Sequence, residues 1–543
     1  MNEDQTLTSI KIMLETTRKG TTPSDEASRK SLYTLMMLLR PVEGPDTSTK
    51  RLPIPWFAAF LLWFFLNFVT LTTEPGAWTD EVMFTDPAIH LATGSGFVSE
   101  AWFNQPRSQF WAGYTPLYSF VLAGWLRIFD VSQWAVRSFC LIVMTLALIF
   151  LWLLLNRLNT FAPGLPRLSI WLTVACSKPL MFLSRAGRPD GLSVLILLAT
   201  VLIWFRRSSR IRTVGLFSLG FLASTSAIQL VIFTILIGLL IQAWWRPFTL
   251  RDSALWIYGV AGGALFLAAL YIYHHVLDVF LQMTLFSTHS SIGRLAQQII
   301  LKSSKAAVDF RDLFTAPLRD YATPVLLGFA ALVCLSANYS RNQLAKKMSL
   351  FALIAGLAIP FIIQFLGKYP LYYAYMAVIP TAIAAGSAFA MVGRTPFALR
   401  AVAILAIFLI ILSGAGKVWF QALSRGIRSV GPDTLSEITA QDVVMVDFSA
   451  YYQIQRRTRH LFAISYGGGK KLRQLPAAEA EQVTKLLIYP STLSDVQAKV
   501  GGSWRPEEKA QMIRSFVTGY TFDDTAAIDS SGQSLYLYVR TEQ

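Results

Sequence analysis

The chain has 543 residues, 54% of them hydrophobic and 15% charged, and apolar runs of spanning length recur along most of it, which excludes a water-soluble globule. Lys and Arg number 48 against 32 Asp and Glu, a formal charge of +16. The basic residues lie mainly in short clusters between apolar runs, as cytoplasmic connectors do, so the excess reads as membrane topology and not as a nucleic-acid surface.

Residues 1–52 are polar and carry Pro41 and Pro45, too long and hydrophilic for a secretory signal. They are expected to form a cytoplasmic extension with one short helix, Ser31 to Arg40. Apolar runs of about 16 to 22 residues follow near 54–72, 134–155, 168–184, 190–205, 213–229, 230–245, 254–273, 322–338, 349–366, 372–391 and 399–416. Arg206, Arg207, Arg210 and Arg212 mark one cytoplasmic connector, and Arg246 with Arg251, Arg341 with Lys346 and Lys347, and Arg394 with Arg400 mark others. Counting back from them puts the loop 73–114, the turn 185–190, the loop 274–320 and Lys368 on the opposite, external face. The further apolar stretch 115–129 breaks that parity if it crosses fully. It is therefore read as re-entrant or surface-lying, beside roughly eleven full crossings. From about 420 the apolar runs end, and Val443–Val446, Lys485–Tyr489 and Ser534–Val539 read as strands of a small external α/β domain, 420–543. The fold class is thus mainly α, a polytopic membrane helix bundle with a small α/β C-terminal domain.

Chemistry concentrates in three places. The loop 73–114 combines Asp80, Glu81, Asp86, His90, Glu100 and Arg107 with several Trp and Phe, an interfacial composition in which rings sit at headgroup depth and polar groups face water. If a helix starts at residue 80, the adjacent Asp80 and Glu81 diverge by about 100° and cannot share one proton, so one acts on substrate while the other orients a ligand or caps the helix. The stretch Ser184-Arg185-Ala186-Gly187-Arg188-Pro189-Asp190 separates two apolar runs by a short turn. Charges at mid-bilayer cost about 2.5–3.5 kcal/mol each, so these lie near the interface or find partners. Two arginines there offer planar donors to a phosphate, or serve as plain interface anchors. Lys368, in Gly367-Lys368-Tyr369-Pro370, is a lone cation that suits a phosphate as a point charge or snorkels at a helix end.

Cys140, Cys176 and Cys334 lie in apolar stretches, so neither a disulfide framework nor a metal cluster is expected. His90, His274, His275 and His289 follow no metal-ligand spacing, although a divalent metal is left open. Walker and dinucleotide motifs are missing from the sequence, so no nucleotide cofactor is expected, and Gly467-Gly468-Gly469 reads as a turn. External acids, external cations and an apolar scaffold suit the transfer of a sugar from a lipid-linked phosphate to a hydroxyl. The same hydropathy also permits a transporter or flippase of lipid-linked substrates.

These residues resemble the GT-C superfamily of polyprenyl-phosphate-dependent glycosyltransferases, particularly the bacterial aminoarabinose transferases that modify lipid A and the protein O-mannosyltransferases. Asp80-Glu81-x-x-Phe84-x-x-x-Ala88 resembles the family's Asp-Glu-x-x-Tyr-x-x-x-Ala loop, and Tyr114-Thr115-Pro116-Leu117-Tyr118 its Lys-Pro-Pro-Leu-Tyr step. Ser184 to Asp190 resembles a Ser-Arg-x-x-x-Pro-Asp step, and Gly367-Lys368-x-Pro370-x-Tyr372 a later Gly-Lys-x-Pro-x-Tyr turn. The resemblance implies a transmembrane GT-C domain over 53–419 in the bacterial inner membrane, a polyprenyl-phosphate sugar donor, and a lipid, glycan or protein acceptor. It further implies Asp80 as catalytic base with Glu81 second; Arg185, Arg188 and Lys368 are expected at the donor phosphate, and Asp190, Tyr114, Tyr118 and Tyr372 in support. Tyr114 stands where relatives have a lysine that pairs with the aspartate matching Asp190, so Arg185 or Arg188 is expected to supply that cation. A noncatalytic relative of the family stays open beside the enzyme.

Overall fold

The computed structural model describes residues 54–73, 75, 77–102, 105–158, 165–205, 209–227, 230–235, 237–238, 250–284, 322–338, 342–365, 371–392, 397–424, 432–463, 477–488, 493–514 and 534–541. The expected N-terminal extension and its helix, residues 239–245 of the apolar run 230–245, Arg206, Arg207, Arg246, Arg341, Arg394, Lys368, Gly467 to Gly469 and most of the loop 274–320 lie outside the described residues.

The apolar runs fold as helices: α1 (Ile54–Val69), α2 (Thr79–Ala92), α3 (Leu117–Phe129), α4 (Gln133–Arg157), α5 (Leu165–Ala175), α6 (Lys178–Leu183), α7 (Asp190–Trp204), α8 (Ser209–Ser226), α9 (Leu250–Tyr273), α10 (Leu277–Thr284), α11 (Ala322–Asn338), α12 (Gln343–Phe365), α13 (Tyr375–Met391) and α14 (Phe397–Ile411). Among the described residues, Gln133–Arg157, Arg251–Tyr273, Gln343–Ile363 and Phe397–Leu423 are long and apolar enough to cross a membrane, and six shorter apolar helices accompany them. The protein is a multi-pass membrane protein. Side chains such as Phe57, Phe65, Ile404 and Phe408 remain exposed on α1 and α14, a surface that lipid satisfies and water does not. The 13 residues of α3 rise about 20 Å, short of the hydrocarbon thickness of about 30 Å.

The bundle core forms where α1, α4, α5, α7 and α13 meet. Trp56 stacks on Trp152 with ring centroids 4.8 Å apart, and the buried indole N–H groups of Trp63 and Trp171 donate to the carbonyls of Ala175 (3.1 Å) and Leu148 (3.0 Å). An amphipathic ring thus adds apolar area without stranding its N–H. The run expected over 168–184 is two helices, α5 and α6. Pro179 in the first turn of α6 has no N–H to give the carbonyl four residues back, which stops the preceding helix and starts a new one. The carbonyl so freed, that of Ala175, accepts from the Trp63 indole, and the next one, that of Cys176, accepts from Ala415 N at 2.9 Å, in a π-helical turn, Leu412–Gly416, that continues α14.

At the C-terminus five strands form one sheet: β1 (Val443–Val446), β2 (His460–Ala463), β3 (Lys485–Ile488), β4 (Trp504–Arg514) and β5 (Ser534–Arg540), in the order β2-β1-β3-β5-β4. β1 runs parallel to β2 and β3, with Val444 opposite Lys485, and β5 runs antiparallel to β3 and β4. The period of two sorts its side chains. Val444, Val446, Leu461, Leu487 and Leu537 enter a core shared with Val82, Ile89, Leu122 and Phe139 of α2, α3 and α4. Val443, Met445, Phe462, Leu486 and Ile488 pack on the other face against Val496 and Val500 of the helix Leu493–Val500. Residues Pro53–Gln543 therefore form one compact unit.

Helices α8 and α9 approach closely through Gly259 and Gly263, a small-xxx-small spacing. A Cβ at Gly259 would collide with the Phe217 carbonyl oxygen, and one at Gly263 would collide with Ser224 Oγ and lie 2.7 Å from the Phe221 carbonyl oxygen. Gly259→Ala is expected to cost about 1–3 kcal/mol of stability, read as a lower melting temperature in detergent. Gly262→Ala, whose nearest neighbour would be 3.8 Å away, is expected to melt like the wild type.

Candidate active site

Helix α2 starts after Trp78, which is extended (φ −145°, ψ 168°), and places Asp80 and Glu81 in its first turn, where the helix dipole favours acids. As the spacing requires, the two carboxylates part. Glu81 is fully buried and makes a two-pronged ion pair with Arg137 of α4, Nε to Oε1 at 2.8 Å and Nη2 to Oε2 at 2.7 Å. Arg137 Nη1 also donates to the carbonyls of Leu71 (3.1 Å) and Pro75 (2.7 Å). One guanidinium thereby ties the end of α1, the connecting turn and the start of α2 together. Asp80 points the other way, with 30% of its side chain exposed, and pairs with Arg188.

The turn before α7 supplies the cations. Arg185 is fully buried on α1, where its Nε and Nη2 donate to Asn67 Oδ1 (3.2 Å) and the Asn67 carbonyl (3.3 Å), and Nη2 also to Thr70 Oγ1. Arg188 turns inward instead. Its Nε donates to Asp190 Oδ2 at 2.8 Å and its Nη1 to Asp80 Oδ2, and only 4% of its side chain is exposed. The rings of Tyr372 (3.7 Å), Phe84 (5.0 Å) and Trp78 (5.5 Å) surround the guanidinium, an arrangement that favours a cation electrostatically as well as drying it. Gly187 makes the approach achievable, since a Cβ there would stand 2.7 Å from Val136 Cγ1 and 2.9 Å from Glu81 Cγ.

Of the cations expected to pair with Asp190, Arg188 does so and Arg185 does not reach it. Tyr372 lies against Arg188. Tyr114 packs edge-on to Phe84, with centroids 5.2 Å apart, and its carbonyl accepts from Tyr271 Oη at 2.8 Å. Tyr118 is buried between α3 and α4, its hydroxyl 3.7 Å from Cys140 Sγ. The structure adds Arg137, Asn67 and Thr70 to the site's framework. Arg137 carried a signal, because an arginine a few residues into an apolar run requires a partner.

A second polar cluster joins α2 to the sheet domain. Asp86 accepts from Ser99 Oγ (2.6 Å), Glu100 N (2.7 Å), Ala101 N (3.0 Å) and the hydroxyl of Tyr451. Thr85 Oγ1 meets Tyr452 Oη at 2.8 Å, and Leu461 N donates to Glu100 Oε2 at 2.9 Å. His90 Nε2 lies 3.5 Å from Asp86 and 3.7 Å from Glu100, and Glu100 also faces His460 (3.2 Å) and Arg107. Burial opposes charge on Asp86, yet His90 and the hydrogen bonds of Ser99 and Tyr451 outweigh it and pull the carboxyl down to about 2. Burial likewise opposes charge on His90, and Asp86 with Glu100 raises its affinity for a proton above the ordinary level. Among the described residues, no group of three or more His, Cys, Asp or Glu is placed to hold a metal ion.

A buried acid–arginine cluster thus lies at one end of an apolar helix bundle packed against an α/β sheet domain. The fold is that of the GT-C membrane glycosyltransferases. Residues 113–273 match the family model of the dolichyl-phosphate-mannose-protein mannosyltransferases. The structure resembles ArnT from Cupriavidus metallidurans bound to undecaprenyl phosphate, with a TM-score of 0.55 and 10% identity, over 89% of this chain and 97% of that one. It also resembles the arabinofuranosyltransferase AftD from Mycobacteria, with a TM-score of 0.50 and 12% identity, over 91% of this chain and 41% of that one. No curated protein matches the chain at a significant level by sequence.

Glu81→Gln would leave Arg137 charged and uncompensated in the interior, and is expected to destabilise by about 3–5 kcal/mol. Adding Arg137→Met to it is expected to restore part of that loss, so the melting temperatures of the two single variants and the double variant should be non-additive. The domain seam should also titrate. His90, raised in the folded state, contributes stability that is complete below its ordinary value near 6.5 and is lost as pH rises through the folded value. Asp86, lowered, contributes stability above its ordinary value near 3.8 that is lost as pH falls toward about 2. Melting temperature against pH is therefore expected to fall on the alkaline side, and His90→Gln to flatten that limb.

Proposed function

We propose that the protein transfers a sugar from a polyprenyl-phosphate donor to a hydroxyl of a lipid, glycan or protein acceptor at the external face of a bacterial inner membrane. The observation that carries this reading is the meeting of Asp80 with Arg188 and Asp190, brought from a segment 108 residues away in the chain, at the end of the bundle. Support for the donor class comes from the ArnT structure that this fold resembles, which holds undecaprenyl phosphate, and from the name of the family matched over residues 113–273.

In the proposed reaction the acceptor oxygen attacks the anomeric carbon while its proton passes to an Asp80 carboxylate oxygen. The bond from that carbon to the phosphate oxygen breaks, and its electron pair stays on the phosphate. Phosphate is already a competent leaving group, so the protein needs to supply a base and a cation where charge develops, without a nucleotide cofactor. Arg188 is that cation, oriented by Asp190, and Lys368 adds a second positive charge. Glu81 and Arg185 hold α2 and the 185–190 turn against α1, fixing the distance between base and cation. Tyr372 and Tyr114 line the approach with aromatic surface that a sugar ring stacks on, while Tyr118 stiffens the packing of α3 on α4.

Purified protein given a polyprenyl-phosphate sugar and an acceptor extract is expected to release polyprenyl phosphate. Asp80→Asn is expected to cut that release by about 10²–10⁴-fold with the melting temperature retained. Full activity in Asp80→Asn would remove Asp80 as the base. Movement of intact lipid-linked sugar between leaflets without release of polyprenyl phosphate would replace the transferase with a flippase.

A further inference from the structure

Arg188 is engaged before any donor arrives. Asp190 holds its Nε at 2.8 Å, Asp80 holds its Nη1, and Tyr372, Phe84 and Trp78 cover its plane. Of these three charged groups only Asp80 is solvent-facing: its side chain is 30% exposed, against 4% for Arg188 and 3% for Asp190. An anion arriving from solvent therefore meets the arginine at the edge that Asp80 occupies.

We propose that Asp80 is a displaceable placeholder on Arg188: the donor phosphate takes the guanidinium edge from it, and the displaced carboxylate becomes the base. This rests on the transferase reading above and deepens it. Three anions do not fit around one guanidinium without like-charge repulsion, so a phosphate that binds Arg188 expels one carboxylate. Asp190 is the one that stays, because it is buried at the start of α7 and opposes the edge that carries Nε. Asp80 leaves by rotating its own side chain, since Glu81 and Arg137 pin the backbone of the same helical turn. A phosphate gains from the exchange, because the planar guanidinium fork matches two of its oxygens.

The exchange orders the reaction. Before the donor binds, the Asp80 carboxylate is engaged on Arg188 and is not presented to an acceptor hydroxyl. Once the phosphate holds Arg188, Asp80 is free to take the acceptor's proton as the sugar–phosphate bond breaks. The phosphate then gains a negative charge and keeps the arginine, while protonated Asp80 has no charge with which to compete. Loss of that proton to water restores the carboxylate, which returns to Arg188 once the product has dissociated.

The test measures binding of farnesyl phosphate to the full-length protein in detergent by calorimetry, with a melting curve for every variant. Asp80→Asn and Asp80→Ala are expected to bind about tenfold tighter than the wild type, although the base is gone. Asp190→Asn is expected to bind no tighter, because it frees the arginine from its orienting partner and not from its competitor. Inorganic phosphate is expected to show the same ratios at lower affinity. Unchanged or weaker binding by the Asp80 variants overturns the proposal, as does an equal gain in Asp190→Asn, which would reduce the effect to bulk charge. A gain confined to the prenylated probe would assign it to the chain and also overturn the exchange. If the wild type binds the probe and transfers sugar but the Asp80 variants show no gain, the transferase reading stands alone; a wild type that neither binds nor transfers sinks both.

Discussion

The geometry of the site depends on one buried ion pair, Glu81 with Arg137. A carboxylate and a guanidinium with no exposed side-chain surface must satisfy each other and their remaining hydrogen-bonding capacity, because either alone would carry a desolvation cost of several kcal/mol. Arg137 meets that demand with hydrogen bonds that include two to Glu81 and one each to the carbonyls of Leu71 and Pro75. Those carbonyls belong to the turn that leaves α1, where backbone acceptors have no helical partner. The pair therefore converts an irregular segment at the end of a membrane helix into a rigid bracket. The adjacent residue, Asp80, is aimed about 100° away from it by helical geometry alone.

The opposite wall is built by the same logic. Arg185 anchors the 185–190 turn to Asn67 and Thr70 near the end of α1, and Gly187 lets that turn lie against α2. Asp80 and Arg188 are thus referenced to a single element, α1, from two directions. The sheet domain adds a third reference through Asp86, Thr85 and the shared apolar core, so a disturbance of the seam reaches Asp80 along fewer than two turns of one helix.

Much of this was legible in the sequence, and the parts that were not have physical reasons. The acidic start of α2 and the Arg-x-x-Arg-Pro-Asp turn stand out because charge at the edge of an apolar run is costly and therefore placed for cause. β1, β3 and β5 are apolar and β-branched or aromatic enough to read as strands. β2 and β4 lie at the two sheet edges, where Arg457 and Arg459 flank one and Pro506, Glu507 and Lys509 interrupt the other, and such residues mask a strand by pattern while protecting its edge. The break between α5 and α6 was written in Pro179 but outweighed by continuous hydropathy. The partners of Arg185 and Arg137 were not legible, because pairing across 118 and 56 residues is set by how helices pack and not by any local spacing.

Tyr114 shows what such packing can replace. Where the resemblance to the GT-C pattern leads one to expect a lysine, this chain has an aromatic ring that packs on Phe84, and Phe84 packs on the guanidinium of Arg188. The positive charge beside Asp190 comes from two residues away in the same turn, at 2.8 Å. A lysine reaching in from the start of α3 would present a flexible point charge, whereas Arg188 is planar, enclosed by rings, and offers separate edges to two carboxylates. The cation beside Asp190 in this chain is therefore a fixed one. A single arginine faces Asp80 and Asp190 together, and that imbalance makes the more exposed carboxylate the one that yields to an incoming anion.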